Sequence, residues 1–385
     1  MPAQAPADTQ AFPDHSAVSI HDGIALALSG GGYRAMVFHV GALLRLNEVG
    51  LLEKVARVSS VSGGSITAGA LAISWPKLRF QNGSADNLDI VVDLIRKMAS
   101  TTVDMGAVIG GILLPGTVSD RVVAAYDEVL FKGKKLSDLS EEAANVPRFV
   151  FNATNVQTAA LWRFSKPYMG DYRVGLIRNP DVPLAIAVAA SSAFPPVLSP
   201  VTLEIEQPVA ATEGADLSHP PYTETAVLSD GGVYDNLGLE TVFKRYKILL
   251  VSDAGQKIAP EEQPHHDWVR HSMRILDTVD NQVRSLRKRH LIHSYVTGEN
   301  TGCYWGIRTH FADYHLADDP LGCARRNPDY LAAIPTRLEA VDHTMQNKLM
   351  NWGYAVCDAA IRAHMKPAEF GITVGTPKFP FSDQY

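Results

Sequence analysis

Two glycine-rich turns, each between an apolar run and a segment of helical spacing, constrain the fold of this chain most. The first turn, Ser29–Gly32 (SGGG), follows the apolar run Ile24–Leu28, and the second, Ser62–Gly64 (SGG), follows Val55–Val61. Short apolar runs that end at glycine predict buried strands, and the periodic segments after them predict helices. Because strands and helices alternate, we expect an α/β fold with a mostly parallel central sheet and helices on both faces.

The rest of the chain continues this alternation without a clear interdomain linker. We expect a flexible N-terminal arm at residues 1–20 and a single domain over residues 21–385, with a helical C-terminal elaboration from about 256 to 385. The segment Leu203–Thr225 is predicted to be a surface excursion. Further strands are predicted at Arg148–Ala153, Ala226–Leu228 and Lys247–Val251, and helices at Arg34–Val49, Ser65–Ser74, Asn87–Ser100, Ser119–Leu130, Pro183–Ala193, Trp268–His293 and about Arg337–Ala363.

The composition argues against several other classes of protein. A net charge of −6 disfavours a broad nucleic-acid-binding face, so we expect no nucleic-acid partner. The cysteines have no metal-like spacing and are expected to be buried thiols, and we expect no metal and no cofactor. The three of them lie in the last quarter of the chain, at Cys303, Cys323 and Cys357.

No segment has the features of a secretory signal or a membrane span. The N-terminus lacks both a basic start and an apolar run. The longest apolar stretch, Ala107–Pro115, is far shorter than the roughly 20 residues that cross a bilayer. We therefore expect a cytoplasmic protein whose membrane contact, if it makes one, is peripheral, and the sequence leaves homo-oligomer formation open.

Ser62 is the candidate nucleophile, because it lies between an apolar strand and a helix of small residues. A sharp strand-to-helix turn lifts the serine hydroxyl out of the sheet, and only small neighbours allow it. The backbone N–H of Gly63 would then point at a developing oxyanion. A helix N-cap serine followed by flexible glycines is the alternative interpretation of this short motif.

The glycines of the first turn expose backbone N–H groups that can converge on an anion. They suit either an oxyanion hole or a phosphate cradle. A P-loop is disfavoured because no Gly-Lys-Ser/Thr follows, and a dinucleotide site because the spacing is not G-x-G-x-x-G. The candidate donors of this turn are Gly30, Gly31 and Gly32.

Two further features complete the set. Asp230 ends a short predicted strand and is followed by two glycines, so its carboxylate could face the serine from a neighbouring strand; an ordinary Asp-Gly turn is the alternative. Phe194 and Val197 flank a pair of prolines after a predicted helix, where they could wall an acyl pocket or pack in the core.

Together these motifs resemble those of the patatin-like phospholipase family, which combines a glycine-rich anion loop, a G-x-S-x-G serine and an Asp-Gly-Gly/Ala aspartate in this order. The matching segments are Gly30–Arg34, Ser60–Gly64, Asp230–Gly232, Ser191–Pro196 and Tyr234–Gly238. The run SGGGYRAM also resembles the cytosolic phospholipase A2 catalytic domain. The resemblance spans about Ile24 to Gly255, with Arg284–Leu291 as a further segment, and implies a patatin-like three-layer α/β/α fold.

The resemblance implies a Ser62–Asp230 dyad without histidine, in which Asp230 takes the serine proton directly. The glycine turn and Gly63 would stabilise the oxyanion. Arg34 has two open roles, holding a lipid phosphate or bracing the loop. One position departs from the motif: Ser60 stands where the family has glycine, which predicts a turn that still forms but low, gated or narrowly selective activity.

A Ser–Asp–His triad remains an alternative to the dyad. The chain has 13 histidines, none in a recognisable catalytic motif. His39 is expected to pack within its helix. The histidines that follow Asp230 in a plausible order are His265, His266, His271, His290 and His293.

The sequence supports three functional hypotheses. The first is a phospholipase A or lysophospholipase-type enzyme that cleaves fatty acyl esters of phospholipids or other lipids at a membrane surface. The second is a hydrolase that stays silent until a signal or partner arrives, and the third is a non-catalytic binder of lipids or anions. Two segments are candidate membrane contacts. The apolar segment Met105–Pro115 could instead be a buried hairpin. The basic cluster Arg284–His290 could instead be a solvated helix face.

Overall fold

A computed structural model describes residues 10–11, 20–103, 117–140, 146–256 and 258–382 of the chain. The strands are β1 (Gln10–Ala11), β2 (His21–Leu28), β3 (Val55–Ser60), β4 (Phe80–Gln81), β5 (Ser84–Ala85), β6 (Arg148–Asn155), β7 (Ala160–Phe164), β8 (Tyr168–Asp171), β9 (Gly175–Arg178), β10 (Val201–Glu204), β11 (Thr212–Glu213), β12 (Thr225–Asp230), β13 (Tyr246–Asp253) and β14 (Thr301–Gly306). The α-helices are α1 (Gly32–Glu48), α2 (Gly63–Ser74), α3 (Asp89–Ala99), α4 (Val118–Tyr126), α5 (Leu184–Ser191), α6 (Gly232–Asp235), α7 (Trp268–Thr297), α8 (Asp329–Ala332), α9 (His343–His364) and α10 (Pro367–Phe370).

Among the described residues, the main sheet has ten strands and a parallel centre. Strands β14, β13, β2, β3 and β6 lie side by side and run parallel. On its other edge β6 pairs antiparallel with the arm of β7, β8 and β9, whereas β12, followed by β10, pairs antiparallel with the carboxyl half of β6 on the same edge as β3. The predicted mostly parallel central sheet is confirmed, whereas the sequence did not predict the arm of β7, β8 and β9.

Helices cover both faces of this sheet, as predicted. Alternate residues of a strand point to opposite faces, and a parallel sheet buries both of them. In β2 the larger side chains enter the cluster that includes α1 and α9, and the alanines enter a second cluster that includes Leu291 of α7. The two sets are Ile24, Leu26 and Leu28 on one face and Ala25 and Ala27 on the other.

The C-terminal helix α9 is an integral part of the core, because it packs closely against α1. An added Cβ at Gly41 would lie 1.8 Å from the carbonyl oxygen of Met350, and one at Gly353 would lie 2.0 Å from that of Phe38. Glycine at both positions therefore lets the two helix backbones approach one another. No motif could place this last third of the chain.

α9 begins later than its apolar periodicity predicts. The helix starts at His343, with Asp342 as its N-cap, whereas the sequence predicted a start near Arg337. The backbone carbonyl of Leu338 instead accepts a hydrogen bond from Val103, and that of Arg337 accepts one from Tyr33, directly after the glycine turn. Long-range pairing of these residues thus replaces the first helical turns.

Three other predictions have mixed outcomes. The surface excursion Leu203–Thr225 contains the end of β10 and all of β11. Within the predicted flexible arm, β1 pairs with β11. The apolar segment Met105–Pro115 lies outside the described residues. None of the helices in the described ranges is long and apolar enough to cross a bilayer.

Candidate active site

Three loops meet at the carboxyl ends of β2, β3 and β12. Leu28 and Ser60 are paired residues at the ends of neighbouring strands, so the two glycine-rich turns after them lie side by side. An added Cβ at Gly63 would lie 2.0 Å from the carbonyl oxygen of Gly32, and one at Gly30 would lie 3.1 Å from Cβ of Ser62. Glycine is therefore required for the two turns to touch.

Ser62 lies at a strained turn between β3 and α2. Its φ of 53° and ψ of −124° are unusual for a residue with a side chain. Such strain is found where a turn must expose a functional group. The backbone N–H of Ser62 donates to both the carbonyl and the hydroxyl oxygen of Ser191, at 3.1 Å each. The structure therefore holds the geometry expected of a nucleophile elbow.

Ser60 fits this elbow through a buried network of hydroxyl groups. Its side chain donates to the carbonyl oxygen of Val150 at 3.2 Å and accepts from Ser65 at 2.9 Å. Ser65 in turn lies 2.8 Å from the hydroxyl of Ser191, which donates to the carbonyl oxygen of Asn152. The expected turn forms with serine at this position, and the hydroxyl is fully engaged.

Asp230 lies beside Ser62 and is almost completely buried. One carboxylate oxygen, Oδ1, accepts the N–H of Gly232 at 2.7 Å. The hydroxyl of Ser62 is close enough to lower the pKa of this carboxyl, yet Oδ2 has no hydrogen bond of ordinary geometry. Burial outweighs both effects and raises the pKa of Asp230 to about 7. A loose contact of this kind is common before substrate binds.

The loop Ser191–Ala193 connects the serine turn to the aspartate turn. The carbonyl oxygen of Ser191 accepts from the N–H of Ser62 at 3.1 Å and from that of Gly231 at 3.2 Å. The carbonyl oxygen of Ala193 accepts from the N–H of Asp230 at 2.9 Å. The sequence motif Ser191–Pro196 marked this loop, but the supporting roles of Ser191, Ser65 and Asn152 were not predicted.

The glycine turn offers fewer oxyanion donors than predicted. The N–H of Gly30 donates to the carbonyl oxygen of Asn236 at 3.0 Å, so the prediction that Gly30 supplies a donor is wrong. Within the described part of the chain, the N–H groups of Gly31, Gly32 and Gly63 have no acceptor. These three N–H groups remain available to a ligand.

Arg34 is buried and braces the glycine turn. Its Nε and Nη2 donate to the carbonyl oxygen of Ala254 at 3.1 and 3.0 Å, and Nη2 also reaches the hydroxyl of Thr336 at 3.2 Å. Nη1 donates to the carbonyl oxygen of Ile334. These contacts match the bracing role among the two alternatives, because little of the guanidinium is left to meet a lipid phosphate.

The histidines do not complete a triad in this structure. His39 is buried, with Nε2 donating to the carbonyl oxygen of Ser29 and Nδ1 accepting from Ser252, and burial lowers its pKa to about 4. None of the other candidates forms a hydrogen bond with Ser62 or Asp230 in the described ranges. These candidates are all exposed: His265, His266, His271, His290 and His293.

Apolar and basic side chains near the site are divided between surface and interior. Phe194 and Val197 are exposed, so neither packs in the core.

The basic cluster on α7 does not form one solvated face. Arg284 is buried and donates to a backbone carbonyl, and Arg287 pairs with an acid at 2.9 Å. Lys288 faces a cavity.

The fold and these motifs define a protein class that sequence comparison identifies. A model of the patatin-like phospholipase family matches residues 26–243, more than half of the chain. The chain belongs to the patatin-like phospholipase family, a family of lipid-hydrolysing esterases, as its motifs predicted. No curated protein sequence matches the chain.

Several solved structures are similar at low identity. Human GIVD cytosolic phospholipase A2 is 15% identical over 66% of this chain and 52% of its own, with a TM-score of 0.39. Its complex with methyl gamma-linolenyl fluorophosphonate is 17% identical over 64% of this chain and 45% of its own, with a TM-score of 0.40. VipD from Legionella pneumophila is 14% identical over 90% and 68%, with a TM-score of 0.38. The chain thus spans about half the length of the human enzyme.

Proposed function

We propose that this protein hydrolyses fatty acyl esters of phospholipids or related lipids through a dyad of Ser62 and Asp230. The observation that carries the proposal is a serine at a strained strand-to-helix turn, beside a buried carboxylate and three unengaged backbone N–H groups. Ser62 Oγ attacks the ester carbonyl carbon while Asp230 accepts its proton. The N–H groups of Gly31, Gly32 and Gly63 stabilise the oxyanion.

The reaction is completed in two steps. The tetrahedral intermediate expels the alcohol, which takes the proton from Asp230 and leaves the acyl group on Ser62. Water then attacks this ester, Asp230 accepts a proton from the water, and the fatty acid departs as Ser62 is protonated again. A base whose pKa lies near the working pH suits both directions of proton transfer.

Labelling with a fluorophosphonate probe tests the nucleophile. We expect the wild-type protein to form one covalent adduct, located on Ser62 by mass spectrometry, and Ser62→Ala to form none. Ser285→Ala, which changes a serine on α7 far along the chain, serves as the matched control and should be labelled like wild type. If the wild type is never labelled, with or without lipid vesicles, the protein is a non-catalytic binder and the proposal is wrong.

A gated enzyme is the second candidate, because the site is covered. Ser62 is only 5% exposed and Asp230 only 2%. The segment from Ile334 to Leu338 lies over the glycine turn, where Arg337 accepts a hydrogen bond from the N–H of Tyr33. In the described part of the chain, both groups are thus too buried for a lipid ester to reach them without some opening of the site.

Loosening that segment tests the gate. Pro335→Gly should raise the labelling rate of Ser62 in the absence of vesicles, whereas Pro320→Gly, in an exposed loop, should leave it unchanged. Vesicles should accelerate labelling of the wild type more than that of Pro335→Gly. Equal rates for all three proteins under both conditions would show that the segment does not limit access.

We also propose that the exposed apolar side of α7 contacts the lipid surface. Its first half carries exposed Val269, Ile275, Leu276 and Val279, which would be costly to leave in water. Trp268, at the start of this helix, is 80% exposed, whereas the other four tryptophans are buried. Tryptophan fluorescence is therefore a selective reporter of this helix.

Vesicle titration provides the measurement. We expect phospholipid vesicles to shift tryptophan emission to the blue and to protect it from acrylamide quenching. Trp268→Phe should abolish the change, and Leu276→Glu should weaken it. A blue shift that instead depends on protein concentration without vesicles would assign this surface to a homo-oligomer.

A further inference from the structure

A cavity lies at the carboxyl ends of β13 and β14, outside the Ser62–Asp230 site. Its volume is about 530 Å³, within the usual range for small-molecule sites. Lys288 and Ile292 of α7 form one wall, and Tyr304 and Arg308 form another. The carboxyl ends of parallel strands are where ligands commonly bind in open α/β sheets.

The acidic groups of this cavity already have donors. Asp253, at its base, accepts the hydroxyl of Tyr304 at 2.7 Å and the N–H of Gly255 at 2.8 Å. At the exposed rim, Asp313 accepts the N–H of His310 at 3.2 Å, and Asp329 lies 3.9 Å from the ring of the same histidine. None of these carboxylates depends on Lys288 or Arg308 for a hydrogen bond.

The two cations of the cavity, by contrast, have no hydrogen-bond acceptor. Across the described residues, no hydrogen bond and no direct ion pair engages Lys288 Nζ or the Arg308 guanidinium. Lys288 Nζ lies 4.3 Å from the ring centre of Tyr304. Burial and the neighbouring Arg284 lower the pKa of both side chains, and Asp253 acts against this at both, joined by Asp313 at Lys288.

We propose that this cavity binds a phosphomonoester through Lys288 and Arg308. Two cations without a hydrogen-bond acceptor can both donate to the oxygens of one phosphate dianion, which offers three oxygens and a larger charge than a carboxylate. Arginine offers a planar fork to phosphate oxygens and lysine offers a mobile point charge. Thr309 and His310 line the same cavity and supply further polar contacts.

The rest of the cavity suits the organic part of such a ligand. The volume exceeds what a phosphate group alone fills, and Ile292 and Tyr314 add apolar surface to its walls. The ligand is therefore a phosphate carried on a small polar or ring-shaped body. It can be a soluble phosphomonoester or the headgroup of a phosphomonoester lipid, because both present the same dianion.

Calorimetric titration with sn-glycerol 3-phosphate tests the site. The Ser62→Ala background is used, so that the outcome does not depend on the proposed hydrolase activity. We expect saturable binding that weakens about 10-fold for Lys288→Gln and about 100-fold for Lys288→Gln/Arg308→Gln, since charge-assisted hydrogen bonds are lost. Arg289→Gln, the exposed neighbour on the same helix, is the matched control and should bind normally. Acetate should not compete.

A second measurement separates the two sources of the phosphate. Vesicles of phosphatidylcholine with phosphatidic acid are sedimented with the same variants, whose folding is checked by circular dichroism. Binding of sn-glycerol 3-phosphate that depends on both cations supports a soluble ligand. Vesicle binding that depends on them, without binding of the soluble compound, supports a lipid headgroup. If neither ligand binds, or if Arg289→Gln loses as much affinity as the double variant, the proposal is wrong.

Discussion

Asp230 and Asp253 occupy the same local setting in two neighbouring parts of the sheet, yet their environments differ sharply. Each ends a strand as the second residue of a Ser-Asp pair, and each is almost completely buried. Each accepts the N–H of the residue two positions later, Gly232 at 2.7 Å and Gly255 at 2.8 Å. The backbone turn therefore does not decide what the carboxylate does.

The surrounding charges make the difference. No cation among the described residues acts on Asp230, and burial raises its pKa to about 7. Burial acts on Asp253 too, but Arg284, the Tyr304 hydroxyl and Arg308 together lower its pKa. Asp253 is thus held as a stable anion, whereas Asp230 is poised to exchange a proton. Charged residues from distant parts of the chain therefore determine that Asp253 is a structural anion and that Asp230 is a candidate base.

The largest expected effect is on turnover. Asp230→Asn should reduce kcat/KM by about 10²–10⁴-fold, the usual contribution of a general base. In the wild type, kcat/KM should rise with pH and level off above the pKa of about 7, because only the ionised carboxylate accepts the serine proton. Hydrolysis of a soluble ester, measured across pH, provides the check. Asp277→Asn on α7 is the control for an isosteric change from aspartate to asparagine. If Asp230→Asn stays active while a histidine variant loses activity, a triad is favoured.

The next largest effect concerns stability and should have opposite signs at the two sites. Asp253→Asn should lower the free energy of unfolding by about 3–5 kcal/mol, because it removes the buried carboxylate that interacts with Arg284, Lys288 and Arg308. Urea unfolding at neutral pH measures this change. Added phosphate should restore part of the loss if the adjacent cavity binds anions. A neutral effect would show that Asp253 does not compensate these cations.

Asp230→Asn should instead stabilise the protein at neutral pH. The folded-state pKa of about 7 lies above the ordinary value of 3.8, so protonation favours the fold. The free energy of unfolding of the wild type therefore falls as the pH rises from about 4 to about 7. Above that range, Asp230→Asn should exceed the wild-type free energy of unfolding by roughly 2–4 kcal/mol. Thermal unfolding at a series of pH values gives the measurement. A gain that does not change with pH would contradict the raised pKa.

Local sequence predicted the motifs because each is marked within a few residues. An apolar run, a glycine and a helical spacing suffice to place Ser62 and Asp230 at strand ends. Their burial at the junction of β3, β6 and β12 agrees with that placement. The same local rules recovered the central strands and both helices that follow the glycine-rich turns.

What the sequence could not predict depends on contacts between distant residues. The N–H of Gly30 is engaged by Asn236, more than 200 residues away, which removes a predicted donor. The role of Arg34 was left open because its acceptors, such as Ile334, belong to a segment without a motif. The start of α9 was misplaced for the same reason: the periodicity of Leu338 fits a helix, but its carbonyl group pairs with Val103.

Ser60 provides the smallest predicted effect and tests whether a departure from the family motif weakens the site. Ser60→Gly restores the family residue but removes the hydroxyl that bonds Ser65 and the carbonyl oxygen of Val150. We expect a loss of about 1 kcal/mol in unfolding free energy from the hydrogen bonds and a further 0.5–1 kcal/mol, roughly, from glycine in a strand.

Ser60→Ala separates these two contributions, because it removes the hydroxyl without adding backbone freedom. Activity should stay within about threefold of wild type in both variants, since the turn is already formed with serine and Ser62 retains its hydrogen bonds to Ser191. A rise of about tenfold or more in Ser60→Gly would instead mean that the hydroxyl network holds the elbow in a less reactive geometry. Low activity in this protein would then originate at Ser60 and not at the segment that covers the glycine turn.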